Sequence, residues 1–349
     1  MTRLQNYGFN AFYEALAGEF PSLEPARVLS QSRGSYRLCT NAGEKMATVS
    51  GKLRYTAETL SDYPAVGDFV MADLPDGDGS AVIHTILPRR SVFIRRAAGT
   101  SQQEQVVAAN IDTIFLCMAL NNDFNLRRME RYLSIAWDSG AKPVIVLTMR
   151  DLCDAPEIRI SEVESIASGT DIAVTSSLGE DGLEQLLPYL IPGKTASFIG
   201  SSGVGKSTLI NHLAGSALHA TNGLRDDDKG RHTTTQRELL LLPCGALVID
   251  TPGMRELGMW SADAGIATAF QDIEELQCRC RFKNCTHTNE PGCAVAEALR
   301  SGSLSPERWS SYQKLRAENA YAENAAGFLA AKERKFKSIS RRNKANRKK

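Results

Sequence analysis

The residues best suited to do chemistry form a phosphate-binding pattern in the middle of the chain. "SFIGSSGVGKST", residues 197–208, contains G-x-x-x-x-G-K-S between an apolar segment and a helical one. In this pattern glycines let backbone N–H groups approach phosphate oxygens, the lysine adds a positive charge, and the serine hydroxyl ligates Mg²⁺. The candidate phosphate ligands are Ile199, Gly200, Ser201, Ser202, Gly203, Val204, Gly205, Lys206 and Ser207.

A second pattern, "VIDTPG", follows downstream and completes a magnesium and γ-phosphate site. Asp250 stands at the end of an apolar run, where it would hold Mg²⁺ through water, and the N–H of Gly253 would sense the γ-phosphate. Residues 215–235 between the two patterns are polar and without periodicity, which is typical of a switch loop. Among Thr233–Thr235 we favour Thr234 as the second magnesium hydroxyl. A simple turn before a strand remains the alternative for the others.

A base-reading motif lies upstream of the phosphate pattern, in "VIVLTMRDL". GTP-binding domains read guanine with N-K-x-D at a strand end, and Thr148, Met149, Arg150 and Asp151 occupy these four positions. The Asp151 carboxylate would accept hydrogen bonds from guanine. Adenine would leave buried polar groups unpaired and would therefore bind less well. The side chain of Thr148 is shorter than the usual asparagine. Met149 stands in place of the usual lysine, and its unbranched thioether can still pack on the base. We expect GTP, bound more weakly than by a full motif.

The order of these motifs indicates a circular permutation. Ser176 and Ser177, in "VTSSLGEDG", resemble the loop that caps the guanine base, and they too precede the phosphate pattern. A permuted domain is feasible because the ends of a domain often lie close together on its surface. The sequence therefore predicts a GTPase domain whose base-reading half comes first.

The segments around these motifs predict an α/β protein of several modules. Residues 26–90 contain five short β-type runs, typical of an oligonucleotide-binding (OB) barrel, although a generic barrel without ligand fits nearly as well. Alternating strands and helices follow, as in a mainly parallel sheet, with helices expected near 161–168 and over 182–190. Residues 262–330 are expected to be helical. The predicted modules are a helical extension (1–25), an OB-type barrel (26–95), a circularly permuted P-loop GTPase domain (100–260), a zinc-binding helical domain (261–331) and a basic tail (332–349).

Composition and charge limit the partners. We find neither a signal peptide nor a membrane span, so a cytoplasmic protein without membrane contact is expected. Residues 332–349 hold ten Lys or Arg and one Glu, a net of +9, whereas the other 331 residues hold 31 basic and 39 acidic side chains, a net of −8. Such a tail favours a nucleic-acid-binding arm. A solvated tail without a partner is the alternative.

A cysteine and histidine cluster in the C-terminal region has metal-ligand spacing. Three thiolates and one imidazole would come from Cys280, Cys285, His287 and Cys293. Together they would form a closed tetrahedral zinc site, which is structural because no position remains for water. By chemistry alone, Cys278 could replace Cys280. Without an export signal, metal binding is favoured over disulfides.

The chain resembles the YjeQ/YloQ (RsgA) family over about residues 25–300. The resemblance rests on five features in this order: the barrel, the permuted GTPase motifs, "GRHTTT", "DTPGMREL" and the Cys/His cluster. The resemblance implies a GTPase stimulated by the small (30S) ribosomal subunit in its late maturation. It also implies a monomer in contact with 16S rRNA and favours Cys280 as the fourth ligand.

The resemblance also suggests a catalytic residue. Met254 stands where Ras-like enzymes use glutamine to orient water. The family is thought to use the histidine that matches His232, whose neutral imidazole could accept from a water. A packing or rRNA-contacting His232 is the alternative. At the level of function, a nucleotide-gated RNA-binding scaffold and an ATPase or nucleotide-promiscuous enzyme are the rivals.

Overall fold

The computed structural model describes residues 2–32, 34–75, 77, 79–96, 104–176, 182–215, 237–250, 262–288 and 290–322. The predicted functional residues outside these ranges are Ser177, His232, Thr234 and Gly253, together with the basic tail at 332–349.

Two short helices open the chain, α1 (Arg3–Asn6) and α2 (Ala11–Ala17). Each begins at a side-chain cap, since the Thr2 hydroxyl accepts from the N–H of Gln5 and the Asn10 side chain from that of Phe12. The opening helices thus belong to the packed structure, because their buried apolar residues join the same hydrophobic core as the central sheet described below.

The next module is a closed five-stranded barrel. Its elements are β1 (Glu24–Ser32), β2 (Ser35–Thr40), β3 (Gly43–Val49), the helix α3 (Gly51–Thr56), β4 (Phe69–Asp73) and β5 (Ala81–Ile86). The strand order is β1-β2-β3-β5-β4, and β4 pairs back on β1 to close the barrel. Only the β3–β5 pairing is parallel. This arrangement confirms the predicted OB-type barrel.

A hairpin that the sequence did not indicate connects the barrel to the next module. Its strands are β6 (Val92–Arg96) and β7 (Glu104–Ala109), paired antiparallel. Strand β6 begins inside the predicted barrel (26–95) and β7 lies inside the predicted GTPase domain (100–260), so their pairing joins the two predicted modules.

The central module is a six-stranded sheet with helices. Its elements are β8 (Thr113–Ala119), α4 (Leu126–Ser139), β9 (Lys142–Thr148), α5 (Pro156–Glu164), β10 (Asp171–Val174), β11 (Thr195–Ile199), α6 (Lys206–Ala214), β12 (Glu238–Leu241) and β13 (Leu247–Asp250). The order is β10-β9-β8-β11-β13-β12, parallel except for β12. Strand β12 also pairs with β1, so this sheet continues into the barrel.

Two expected helices of this module differ in the structure. The helix expected near 161–168 is α5, which begins earlier because Pro156 suits the first turn of a helix. The prediction of a helix over 182–190 was wrong. Two 3₁₀ turns, Leu183–Gln185 and Leu187–Tyr189, replace it, since Pro188 lacks the N–H that a continuous α-helix needs.

The C-terminal region is helical, as predicted, in the part that the structure describes. Its helices are α7 (Asp263–Ala269), α8 (Gln271–Cys278), α9 (Ala294–Ser301) and α10 over 306–322. Helices α7 and α10 contact α4 of the central module, and Ile266, Phe270 and Ile273 join the same buried core as Met129 and Leu133. Throughout the described ranges, the helices are too short or too polar to cross a membrane.

Candidate nucleotide site and metal centre

The phosphate loop connects β11 to α6 and depends on its glycines. Gly203 and Gly205 have φ of 78° and 87°, in the left-handed region that favours glycine. Gly200 has no room for a side chain, since a Cβ there would lie 2.5 Å from the carbonyl oxygen of Cys117. The loop therefore keeps its backbone close to β8 and leads its N–H groups into the N-terminus of α6, where an anion is favoured.

Lys206 and Ser207 open α6 at the end of this loop. The ammonium of Lys206 donates to the carbonyl oxygens of Gly200 and Ser201, at 2.7 and 2.5 Å. These bonds fold the side chain back over the loop, where a phosphate group would meet its charge. Ser207 is exposed on the first turn, so its hydroxyl is accessible to a magnesium ion.

Thr148 joins the base-reading segment to the phosphate loop. Its side chain is buried, and its hydroxyl donates to the carbonyl oxygen of Val204 at 2.8 Å. The shorter side chain in the asparagine position therefore still connects the two loops.

The predicted base-reading segment and the predicted base-capping segment lie in contact. Met149 takes a left-handed conformation with φ of 59°, after which the chain turns through Arg150–Leu152. This turn brings the carboxylate of Asp151 to the hydroxyl of Ser176, which donates to it at 2.8 Å. The Met149 sulfur accepts from the Asn121 side chain at 3.6 Å. No motif in the sequence marks Asn121 as a site residue. It follows β8, whose carboxyl end lies at the same sheet edge.

All these loops lie at one edge because the strands are parallel. The carboxyl ends of β8, β9, β10, β11 and β13 point the same way, although β8 to β10 come first in the chain. Asp250 is the last residue of β13, beside β11. The structure thus places the predicted base-reading and phosphate-binding segments side by side, with the base-reading strands first in the chain.

Two residues of α4 that the sequence did not single out also reach the phosphate loop. The Arg128 guanidinium donates to the Ser201 hydroxyl and bonds the Asp123 carboxylate at 2.7 Å. Tyr132 lies beside Ser201 too, and burial raises the pKa of Tyr132 while a hydrogen bond with Ser201 opposes that rise. In the sequence both look like ordinary positions of an amphipathic helix.

The structure gathers three thiols and an imidazole into one group. The ligand atoms of Cys280, Cys285, His287 and Cys293 all lie within 4.8 Å of one another, and Nδ1 of His287 is 3.5 Å from two of the sulfurs. Tetrahedral zinc with ordinary bond lengths would separate nitrogen and sulfur by about 3.6 Å, so the group fits this metal. Cys278 is exposed and lies outside the group.

Neighbouring groups hold these ligands in place. The Cys293 sulfur accepts from the N–H of Ala296 at 3.3 Å, at the N-terminus of α9, which favours a thiolate. The His287 ring meets the edge of Trp309, with centroids 5.7 Å apart. Contacts within the protein therefore orient these two ligand side chains, as is usual for metal ligands.

Comparisons with known proteins identify the family. A model of the RsgA GTPase family matches residues 86–260. A protein of Lactiplantibacillus plantarum, the small ribosomal subunit biogenesis GTPase RsgA 2, is 50% identical over 84% of this chain and 83% of its own length. The chain belongs to the RsgA GTPase family. A Listeria innocua RsgA 1 is 44% identical over 97% of this chain and 96% of its own length.

Two solved structures agree with the RsgA fold described above. YjeQ from Thermotoga maritima superposes with a TM-score of 0.62 at 28% identity, covering 85% of this chain and 98% of its own. YloQ, described as a circularly permuted GTPase, gives 0.60 at 25% identity, covering 85% and 94%. The predicted fold class and family are thus confirmed, and the chain is a GTPase with a cluster that could hold a metal ion.

Proposed function

We propose that this GTPase acts in the late maturation of the small ribosomal subunit and that the subunit stimulates its GTP hydrolysis. The observation that carries the proposal is similarity over nearly the whole chain to relatives named for small ribosomal subunit biogenesis. Because the similarity extends over barrel and C-terminal region as well as the GTPase domain, the proposal concerns the whole chain. We further propose a cytoplasmic monomer.

The nucleotide would lie along the shared sheet edge. The N–H groups from Gly200 to Gly205 and the ammonium of Lys206 would hold the phosphates of GTP or GDP. The proposed magnesium ligands are Ser207 and Thr234, with Asp250 acting through water and Gly253 at the γ-phosphate. Asp151 would select guanine, beside Ser176 and Ser177, and Thr148 would keep this segment joined to the phosphate loop.

Catalysis would then depend on a residue other than Met254, which cannot orient water. We propose His232 as that residue, with its neutral imidazole accepting from the attacking water. Placement of His232 against the attacking water by the ribosomal subunit would explain the proposed stimulation. Both residues lie outside the described ranges.

Contact with 16S rRNA would come from the barrel, the C-terminal module and the basic tail. Beside the metal cluster, Phe282 is 41% exposed and the Arg281 guanidinium lies 5.5 Å from its ring. Arg279 and Lys283 are exposed next to them. An aromatic ring among cations suits unpaired bases and phosphates. One structural zinc ion on Cys280, Cys285, His287 and Cys293 would hold this loop and leave no open position for chemistry.

The direct test is GTP turnover by the full chain with and without small ribosomal subunits. We expect the subunits to raise the rate tenfold or more, as activators of slow GTPases do, and His232→Ala to lose that rise. Lys206→Ala is the control for nucleotide binding and should lose activity under both conditions. A rise that survives in His232→Ala would remove this residue from catalysis and leave the subunit-stimulated GTPase intact.

A second candidate function, a nucleotide-gated RNA-binding scaffold, is favoured by Met254 and by the altered base-reading motif. In that case GTP only orders the loops and hydrolysis is incidental. The same experiment separates the two, because the scaffold predicts a rate that the subunits leave unchanged while GTP still strengthens binding to them.

A further inference from the structure

Helix α4 contacts the phosphate loop at one end. Arg128, in its first turn, donates to the hydroxyl of Ser201 and is held by the Asp123 carboxylate. The carbonyl oxygen of the same Ser201 accepts from the ammonium of Lys206. One loop residue is therefore bonded both to the phosphate-binding lysine and to α4.

The same helix carries the C-terminal module. The Glu130 carboxylate, fully buried, accepts from Arg308 of α10 at 3.0 Å, and Arg308 also forms two bonds to Asp272 of α8. Arg131 binds the Glu318 carboxylate of α10 with two bonds of 2.7 and 2.6 Å. A buried charge pair is costly to break, so this docking is specific in position.

Helix α7 docks on α4 by close backbone approach. Gly265 lies so near that a Cβ there would be 2.0 Å from the carbonyl oxygen of Ser134. The next described residue toward the nucleotide segments, Ala262, donates its N–H to the buried Asn319 side chain of α10 at 2.7 Å. The contacts between α4 and this module thus allow little independent movement.

The contacts to the two sides are only two residues apart on a stiff element. Arg128 and Glu130 are separated by about 3 Å along the helix axis. A change in the phosphate loop that moves Ser201 would therefore move the part of α4 on which Arg308 docks. We propose that Arg128 is a positioning residue of the nucleotide site, which couples occupation of the phosphate loop to docking of the C-terminal module on α4.

The coupling is reciprocal. If nucleotide tightens the docking of α7 and α10, then docking tightens nucleotide binding by the same factor, which for linked sites is about fivefold or more. A partner that holds the C-terminal module could in this way alter nucleotide affinity without touching the nucleotide.

The test is hydrogen exchange of the full chain with and without saturating GDP, followed at α7 and α10. In the wild type, GDP should slow exchange there about fivefold or more. Arg128→Leu should abolish the response while still binding GDP, as a fluorescent GDP analogue would report, and Arg128→Lys should restore much of it. GDP alone is used, so the result does not depend on stimulation by ribosomal subunits.

Arg127 provides the matched control. It is the neighbouring arginine with a similar side-chain exposure, 35% against 31% for Arg128, and it pairs with Glu130. Within the described ranges it makes no hydrogen bond to the phosphate loop, so Arg127→Leu should keep the GDP response, although it also removes a partner of Glu130 and should raise the basal exchange of α10. Should Arg128→Leu melt before GDP is added, Ser201→Ala removes the same contact from the loop side. The proposal is overturned if GDP leaves the hydrogen exchange of α10 unchanged in the wild type. It is also overturned if GDP still slows this exchange in both Arg128→Leu and Ser201→Ala.

Discussion

The metal centre and the nucleotide site are built in opposite ways. The metal ligands lie within fourteen residues of one another, from Cys280 to Cys293, and side chains supply all four ligand atoms. The nucleotide edge uses segments after five strands and relies on backbone N–H groups and loop shape. A local site needs only its own loop, whereas a distributed site needs the whole sheet in register.

This difference has energetic consequences. A structural metal contributes its binding energy to the folding of its own module, so the ligands have few acceptable substitutes. Each residue of the nucleotide edge contributes to one step, such as holding phosphate or selecting the base. Its loss should therefore weaken one property and leave the fold in place.

The largest expected effect comes from the local site. Cys285→Ser should abolish zinc binding and destabilise the C-terminal module by several kcal/mol, since structural zinc contributes on the order of 10 kcal/mol to such loops. Zinc content and thermal unfolding measure it. GDP affinity should fall only through the coupling between the C-terminal module and the phosphate loop proposed above. Cys278→Ser is the matched control, because this exposed thiol lies outside the group, and loss of zinc in that variant would contradict the ligand assignment.

A distributed site should lose selectivity before stability. Asp151→Asn should weaken GDP binding by about ten- to a hundredfold, because guanine would face an unmatched group worth about 1–3 kcal/mol. Binding should shift toward XDP, whose base offers a carbonyl in place of the exocyclic amine. Competition binding of GDP, ADP and XDP measures both changes, and thermal unfolding should hardly change. Unaltered guanine preference in Asp151→Asn would remove this residue from base reading.

Sequence predictability differs between the two regions for the same reason. Cysteine spacing predicted a metal group, and the phosphate motif predicted its own strand, loop and helix, because these signals are local. The contact of Thr148 with Val204 depends on the pairing of distant strands. Arg128 gives no signal at all, since an arginine on a helix is usually solvated. The apolar pattern over 182–190 predicted a helix that does not form, because Pro188 lacks the N–H that a continuous helix needs.

A smaller effect is expected where two loops of the nucleotide edge meet. Thr148→Val removes a buried hydroxyl and leaves the carbonyl oxygen of Val204 without it, at a cost of about 1 kcal/mol in stability. GDP affinity should fall a few-fold, because the loop loses its connection to β9. Thr175→Val is the matched control. Among the described residues that buried threonine hydroxyl has no hydrogen-bond partner, so its removal should not destabilise the protein. Equal losses in the two variants would contradict a special role for Thr148.

The last effect is on stability alone: it arises where α4 contacts α7, and it depends on pH. Burial raises the pKa of Asp138, on α4, from 3.8 to about 6. The nearby charge of Asp263 adds to the rise, and a hydrogen bond from the Gly265 N–H of α7 opposes it. The native state therefore binds this proton more tightly than the unfolded state, and stability falls as pH rises from about 4 to 6. Above that range the ionised carboxylate costs about 1 kcal/mol, allowing for its partial exposure to water.

Asp138→Asn keeps an oxygen for the Gly265 N–H but cannot ionise. It should be more stable than the wild type at pH 7, by about 1 kcal/mol, and equal to it below pH 4. Chemical denaturation across this pH range measures the difference. Asp171→Asn should change stability in the opposite direction, because a bond from Lys142 lowers the pKa of Asp171. If Asp138→Asn gains nothing at pH 7, the carboxylate is solvated and the seam between α4 and α7 is looser than the close approach of Gly265 implies.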